Sequence, residues 1–479
     1  MLPAQPDTLW TRTYGGASTD IARCVQPTSD GGYILTGGTA SYGAGDWNVY
    51  VIKTDSLGDT MWTRVYGGPY AAGSEWVECT ADNGYIIAAT IGYSDVWLIK
   101  IDAHGDTVWT SIFGGANGEG SWSVKQTQDG GYVVCGKTES YGAGLSDVWV
   151  IKTDAVGDSI WTRTYGGTNN DLGRSVVQTV DGGYVIAGYT YSYSAGQSDV
   201  WLIKTDSLGN PLWTKSYGGV DYDYAYQVVE TQDHGYFITG MTQSFGNGGS
   251  DAWFIKTDSL GDTLWTKTFG DTSYEYMVSG VQTADGGYIA CGYKMTNWIY
   301  DVWIIKLDSL GNRMWTKTLG YSDHDYGESI RQTPDLGYIC AGYYYVPGTG
   351  ISDIWLIRLA AETSIEEDDH GNTISNLRCD HFDINVVPNP FKNNLRIYYD
   401  IASDVGQNIY TPKWIPCSLK IYSASGCLVR QCDVKAIERS GCIVWSGTDQ
   451  NNQPVPSGIY FVQLELNNHR RVKKVILIR

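Results

Sequence analysis

Six carboxylates recur at one place in the chain. Asp20, Glu119, Asp171, Asp223, Glu275 and Asp325 each stand six residues after the first residue of a Y-G-G-like phrase, with Ala72 the exception. Oxygen groups on a shared acidic rim suit calcium, or general acid and base work across a glycosidic bond. The same regularity fits a plainer role, a turn acceptor for backbone N–H groups. A second set is aromatic. Tyr42, Tyr141, Tyr193 and Phe245 lie in short Ser/Gly/Ala runs, and Trp298 and Tyr345 in the corresponding places further on. An aromatic among small flexible residues suits stacking on a sugar ring or a protein partner; the alternative is that each ring folds back over its own repeat. Catalysis needs one odd constellation, and none is visible: the six histidines lack zinc-ligand spacing and there is no G-x-S-x-G elbow. No catalytic residue, metal ligand or cofactor is therefore assigned, and calcium stays open.

The elements that must position these residues repeat. A phrase T-x-D-G-G-Y ends on Tyr33, Tyr85, Tyr132, Tyr184, Tyr236, Tyr288 and Tyr338, followed by D-x-W-L-I-K-T-D and D-T-x-W-T. Units of about fifty residues built from short strands and Gly-rich turns mark β-propeller blades. In the fourth unit the strands are expected at 175–179, 183–189, 199–205 and 211–217, with Asp181-Gly182 making a tight turn. The seventh unit stops after Asp353–Arg358 without its D-T-x-W-T strand, and the chain begins with that piece, Asp7–Arg12. The fold expected is all-β: a seven-bladed β-propeller closed by its N-terminal strand. Trp10, Trp62, Trp109, Trp161, Trp213, Trp265 and Trp315 each precede the next repeat tyrosine by 23 residues, so length varies only between that tyrosine and the following D-x-W strand. Loops free to vary on one face of a rigid scaffold are the usual place for binding.

Charge divides the chain. Residues 380–479 hold 12 basic and 8 acidic residues, leaving 21 basic and 44 acidic before them. So acidic a surface repels phosphate backbones, which argues against nucleic acid. No run of eighteen apolar residues is present, so no helical membrane span is expected. The first residues carry neither a basic nor an apolar leader region, and we expect a leader removed upstream, because the other end reads as an export signal. Cys135 and Cys291 occupy a position filled elsewhere by Thr36, Ala88 and Ala187, that of a small buried residue. Cys417, Cys427, Cys432 and Cys442 allow one or two disulfides of unreadable connectivity.

Two resemblances extend this. Lys204–Gly209 followed by Trp213 looks like the Trp-docking motif of pyrroloquinoline-quinone-type propellers, but no adjacent cysteines occur and redox activity is not carried over. Over residues 1–360 the repeats resemble secreted propellers of Bacteroidetes-like bacteria. After an acidic linker at 361–381, residues 382–479 resemble the C-terminal sorting domain of type IX secretion substrates and the related immunoglobulin-like domain of the flagellar hook-capping protein. The elements that carry this are Pro388-Asn389-Pro390, Gly458 with Tyr460, and Lys473-Lys474 in the final strand. The resemblance implies a β-sandwich, export across the outer membrane, the secretion machinery as a partner and a secreted or cell-surface location. The function expected is binding of an extracellular glycan or protein through one loop face. The alternatives are a polysaccharide-degrading enzyme using the acidic residues, or a structural surface component.

Overall fold

The computed structural model describes residues 5–362 except 93, and within the rest 365–367, 373–375, 381–387, 391–392, 394–402, 417–423, 428–433, 440–451, 453–466 and 469–478. The chain divides into two compact units, Met1–Ile365 and Glu366–Arg479. All the described regular structure is strand, and no helix among the described residues is long and apolar enough to cross a membrane.

The first unit is propeller-like. Six four-stranded antiparallel sheets follow one another in sequence, sheet one from Asp20 to Tyr66, then two (72–113), three (119–165), four (171–217), five (223–269) and six (275–319). Sheet seven combines Asp325–Gln332, Tyr338–Tyr345 and Ser352–Leu359 with Thr8–Tyr14, which pairs antiparallel with Ser352–Leu359. The strands of sheet four are Asp171–Gln178, Tyr184–Thr190, Asp199–Thr205 and Pro211–Tyr217. The first therefore starts four residues before its sequence-based bound, because Asp171 opens the ladder opposite Thr190.

The fixed spacing of 23 is a contact between sheets. Each fourth-strand tryptophan packs on the tyrosine of the next sheet, as in Trp109 on Tyr132 at 5.6 Å and Trp161 on Tyr184 at 5.8 Å. Trp10, on the strand added to sheet seven, meets Tyr33 of sheet one at 6.0 Å. Burying such a ring removes roughly 150–250 Å² from water, about 4–6 kcal/mol gross at about 25 cal/mol/Å². Hydroxyls add a second tether: Tyr14, Tyr66, Tyr165 and Tyr217 donate to the carbonyls of Gly58, Gly105, Gly209 and Gly261, one sheet further on.

One irregularity recurs in every sheet. The ladder between first and second strands skips one residue, so Gly173 faces Gly188 and Ser175 faces Ala187 while Arg174 has no partner. The bulged residues are Arg23, Glu75, Trp122, Arg174, Tyr226, Val278 and Glu328. Gly188 is required here, since a Cβ would strike the Leu172 carbonyl.

In the second unit, a three-stranded antiparallel sheet (His381–Val387, Leu395–Ala402, Ser440–Trp445) and a four-stranded one (Cys417–Ser423, Leu428–Asp433, Gly458–Leu466, His469–Leu477) share a core. Phe391, Ile397, Leu419, Trp445, Tyr460 and Leu477 are buried in it. The stretch read as a linker contains a small two-stranded sheet, Ile365–Glu367 with Thr373–Ser375.

Candidate functional site

The acidic set is buried, not exposed on a rim: Asp20, Glu119, Asp171, Asp223, Glu275 and Asp325 are at most 2% exposed. Each opens a first strand and accepts N–H groups from the turn before it, such as Gly167 N to Asp171 at 2.8 Å and Gly219 N to Asp223 at 2.9 Å. At Asp171 loop hydroxyls complete the cap, with Ser192 donating at 2.6 Å and Thr190 to the other oxygen, whereas Asp20, Glu275 and Asp325 each keep one buried oxygen without a hydrogen bond. A second carboxylate, the first residue of a third strand, approaches from the preceding sheet: Asp147 and Asp171 flank Gly166, as Asp199 and Asp223 flank Gly218. In the one junction with Ala72, the facing residue is Asn48. Burial lifts Glu275 and Asp325 to about 7, against hydrogen bonds from the Asp271 and Tyr321 N–H groups. These are sealed structural carboxylates.

Four of the aromatic candidates lean on their own sheets. Tyr42 packs on Tyr50, Tyr141 on Trp149, Tyr193 on Trp201 and Phe245 on Trp253, at 5.3 to 5.7 Å. The three tyrosine hydroxyls donate to the carbonyls of Gly15, Gly114 and Gly166. Trp298 and Tyr345 behave differently. In sheet six the second and third strands extend to nine residues, Tyr288–Thr296 and Ile299–Leu307, joined by Asn297 and Trp298 alone. Both have positive φ, 53° and 68°, and Trp298 is 82% exposed. Positive φ at both residues is what a two-residue type I′ hairpin turn requires, and the turn leaves the Trp298 ring in solvent.

Beside that hairpin lies a bank of half-buried rings, of which the sequence singled out Tyr345 alone. Tyr276 meets Tyr293 at 5.0 Å, Tyr293 meets Tyr326 at 4.9 Å, and Tyr326 meets Tyr343 at 4.9 Å. Tyr300 and Tyr345 flank His324 at 5.6 and 6.1 Å, and His324 Nδ1 accepts the Tyr300 N–H at 3.1 Å. A companion group, Tyr189, Tyr191, Tyr222 and Tyr224, joins sheets four and five, with Tyr191 and Tyr224 hydroxyls 2.9 Å apart.

The bulged side chains adjoin this bank. Arg23 contacts Glu328 at 2.5 Å and Glu75 at 3.6 Å and lies 5.8 Å from the Tyr343 ring. Burial raises the Tyr226 and Tyr293 hydroxyls, which feel Arg174 and Glu328 respectively. Arginine, glutamate and tyrosine side chains of the bulges thus adjoin the stacked rings, a combination that can hold a sugar by its faces and its polar groups. A signal was present in sequence: the fourth residue of each first strand changes chemistry in repeats that are otherwise uniform.

In the second unit, Pro388, Asn389 and Pro390 lie outside the described residues. Gly458 begins a strand, and the buried Tyr460 packs on Trp445 at 5.2 Å and donates to the Pro456 carbonyl at 2.7 Å. Lys473 and Lys474 are exposed on the last strand. Cys135 and Cys291 are buried thiols, while the side chains of Cys417, Cys427, Cys432 and Cys442 lie outside the described residues.

Residues 385–478 match the secretion system C-terminal sorting domain. The chain therefore carries a type IX sorting domain, which places the protein at the cell surface or in the extracellular space and implies contact with the secretion machinery. A curated relative, regulatory protein FlaEY of Caulobacter vibrioides, is 28% identical over 185 residues, covering 32% of this chain and 19% of its own length. The match thus spans under a fifth of that relative. Among solved structures, a protein of unknown function from Bacteroides caccae is 9% identical, with 63% of this chain and 94% of that one covered and a TM-score of 0.38. PorZ, an essential surface component of the type IX secretion system of Porphyromonas gingivalis, is 9% identical, with 94% and 73% covered and a TM-score of 0.36.

Proposed function

We propose that this is an exported glycan-binding protein. In this reading residues 1–360 form one closed seven-bladed β-propeller, 361–381 an acidic linker and 382–479 an immunoglobulin-like sorting domain. Support for the closed ring comes from the pairing of Thr8–Tyr14 with Ser352–Leu359 and from bonds between the first and last sheets, Val25 N to Ser329 Oγ at 3.2 Å and Arg331 Nε to Gln26 Oε1 at 3.1 Å. The observation that carries binding is the bank of half-buried rings beside Trp298. Tyrosine rings stack on the apolar faces of sugars while their hydroxyls bond to the rim. The ligand site moves from the outer loop aromatics, which are braced on their own sheets, to Tyr276, Tyr293, Tyr326, Tyr345 and Trp298.

The test is an array of glycans and polysaccharides probed with the full chain, together with Tyr276→Ala and Trp298→Ala. Binding that falls at least tenfold in both variants supports the reading. Release of reducing ends from a bound polysaccharide would make the protein an enzyme instead. A silent array, with capture of a defined surface protein, would transfer the site to a protein ligand and overturn the glycan reading.

A further inference from the structure

We infer that the guanidinium of Arg174 is a receptor for the carboxylate of an acidic sugar. This rests on the glycan reading above and specifies its ligand. Arg174 is the bulged residue of sheet four, and its guanidinium carbon lies 4.6 Å from the Trp122 ring, 5.7 Å from Tyr226 and 5.9 Å from Tyr189. Its Nε is buried and makes no hydrogen bond, and although Glu328 feels its charge, Arg174 forms none of the ion pairs found among the described residues.

Arg23 supplies the contrast. It occupies the same bulge in sheet one and is matched by two bulged carboxylates, Glu328 and Glu75. Both arginines have a buried Nε without a hydrogen bond, but Arg23 is ion-paired to Glu328 and Glu75, whereas Arg174 is stacked between aromatic faces and acts on Glu328 only through space. Cation–π contact fixes the plane of a guanidinium but satisfies none of its in-plane N–H donors. Leaving the buried Nε–H unpaired is costly, and a carboxylate can accept from it and from a neighbouring Nη–H in two parallel hydrogen bonds. The flanking rings offer the apolar surface on which the rest of a sugar would stack.

The charge of the domain narrows the ligand further. Before residue 380 there are 44 acidic and 21 basic residues, a field that opposes a long polyanion. A single acidic sugar at the end of a short or otherwise neutral chain avoids that repulsion and still reaches Arg174.

Binding of the full chain to 3′-sialyllactose and to glucuronate- and galacturonate-terminated trisaccharides, each beside its methyl ester, tests this by calorimetry. At least one acid is expected to bind, with its ester weaker by roughly tenfold to a hundredfold, the loss of one charged hydrogen-bonded contact. Arg174→Gln should bring the acid down to the level of the ester. Lys294→Gln, which removes a cation already paired with Asp271 at 2.6 Å, should leave binding unchanged. The comparison of acid with ester in the unmodified protein decides the matter even if Arg174→Gln does not fold. Equal binding of acid and ester, or full binding by a folded Arg174→Gln variant, overturns the carboxylate receptor and leaves glycan binding intact. Failure of every saccharide, neutral or acidic, overturns both.

Discussion

At the scale of single residues, carboxylates of opposite behaviour share one fold. Each hairpin aspartate pairs with a buried cation from the third strand, as in Asp30 with Lys53 and Asp181 with Lys204, both at 2.8 Å. Partial burial pushes these carboxyls up, but hydrogen bonds from lysine, threonine and glycine outweigh it and hold Asp30 and Asp181 down at about 2. Their contribution is present above the ordinary carboxylate range and is lost as pH falls towards about 2. Glu275 and Asp325, lifted to about 7, act in the other direction, and their contribution fades as pH rises from their unfolded values to about 7. Thermal melts from pH 3 to 8 should therefore show maximal stability near about pH 4 and a decline from there towards about pH 7. Asp325→Asn should flatten the decline on the alkaline side; an unchanged slope would remove Asp325 as its source. Leu336 holds a φ of 65° in the hairpin turn where Gly31 and Gly182 stand elsewhere. Leu336→Gly should stabilise by about 1 kcal/mol in urea denaturation, since a Cβ is disfavoured there.

At the scale of elements, neighbouring sheets are fastened by repeated contacts. Tyr217→Phe removes a hydroxyl donating at 2.6 Å to Gly261 and should cost about 1 kcal/mol in a urea melt. Thr8–Tyr14 carries more. It completes sheet seven, while Trp10 and Tyr14 reach Tyr33 and Gly58 of sheet one. Deleting residues 1–14 exposes the edge of Ser352–Leu359, so the truncated chain should melt lower and self-associate by size-exclusion chromatography with light scattering. A monomer with the parental melting temperature would mean that this strand is not needed to complete the sheet. Much of this was legible beforehand. The constant 23-residue interval marked a contact, and the D-T-x-W-T phrase at the wrong end of the array marked a strand given to the last sheet. The bulge itself was not legible, because it depends on register between strands, and only the changing chemistry of its residue from repeat to repeat marked the place.

At the scale of the whole molecule, the second unit carries the secretion address, and the ligand site proposed above lies in the first. Removing residues 385–479 should leave the protein in the periplasm of a type IX-competent host, and fusing residues 380–479 to a periplasmic reporter should export it, both read by fractionation. Periodicity, turn residues and strand-length intervals specified the all-β class, the repeated sheets and the sorting domain, since these follow from local chain chemistry and spacing along it. The candidate site was decided in three dimensions. Loop aromatics were indistinguishable in sequence until some were braced on their own sheets and others left open. The acidic residues looked like a rim until burial made them caps. Arg23 and Arg174 hold the same place in their repeats, and only the neighbours brought by other sheets give one an ion pair and the other a set of rings.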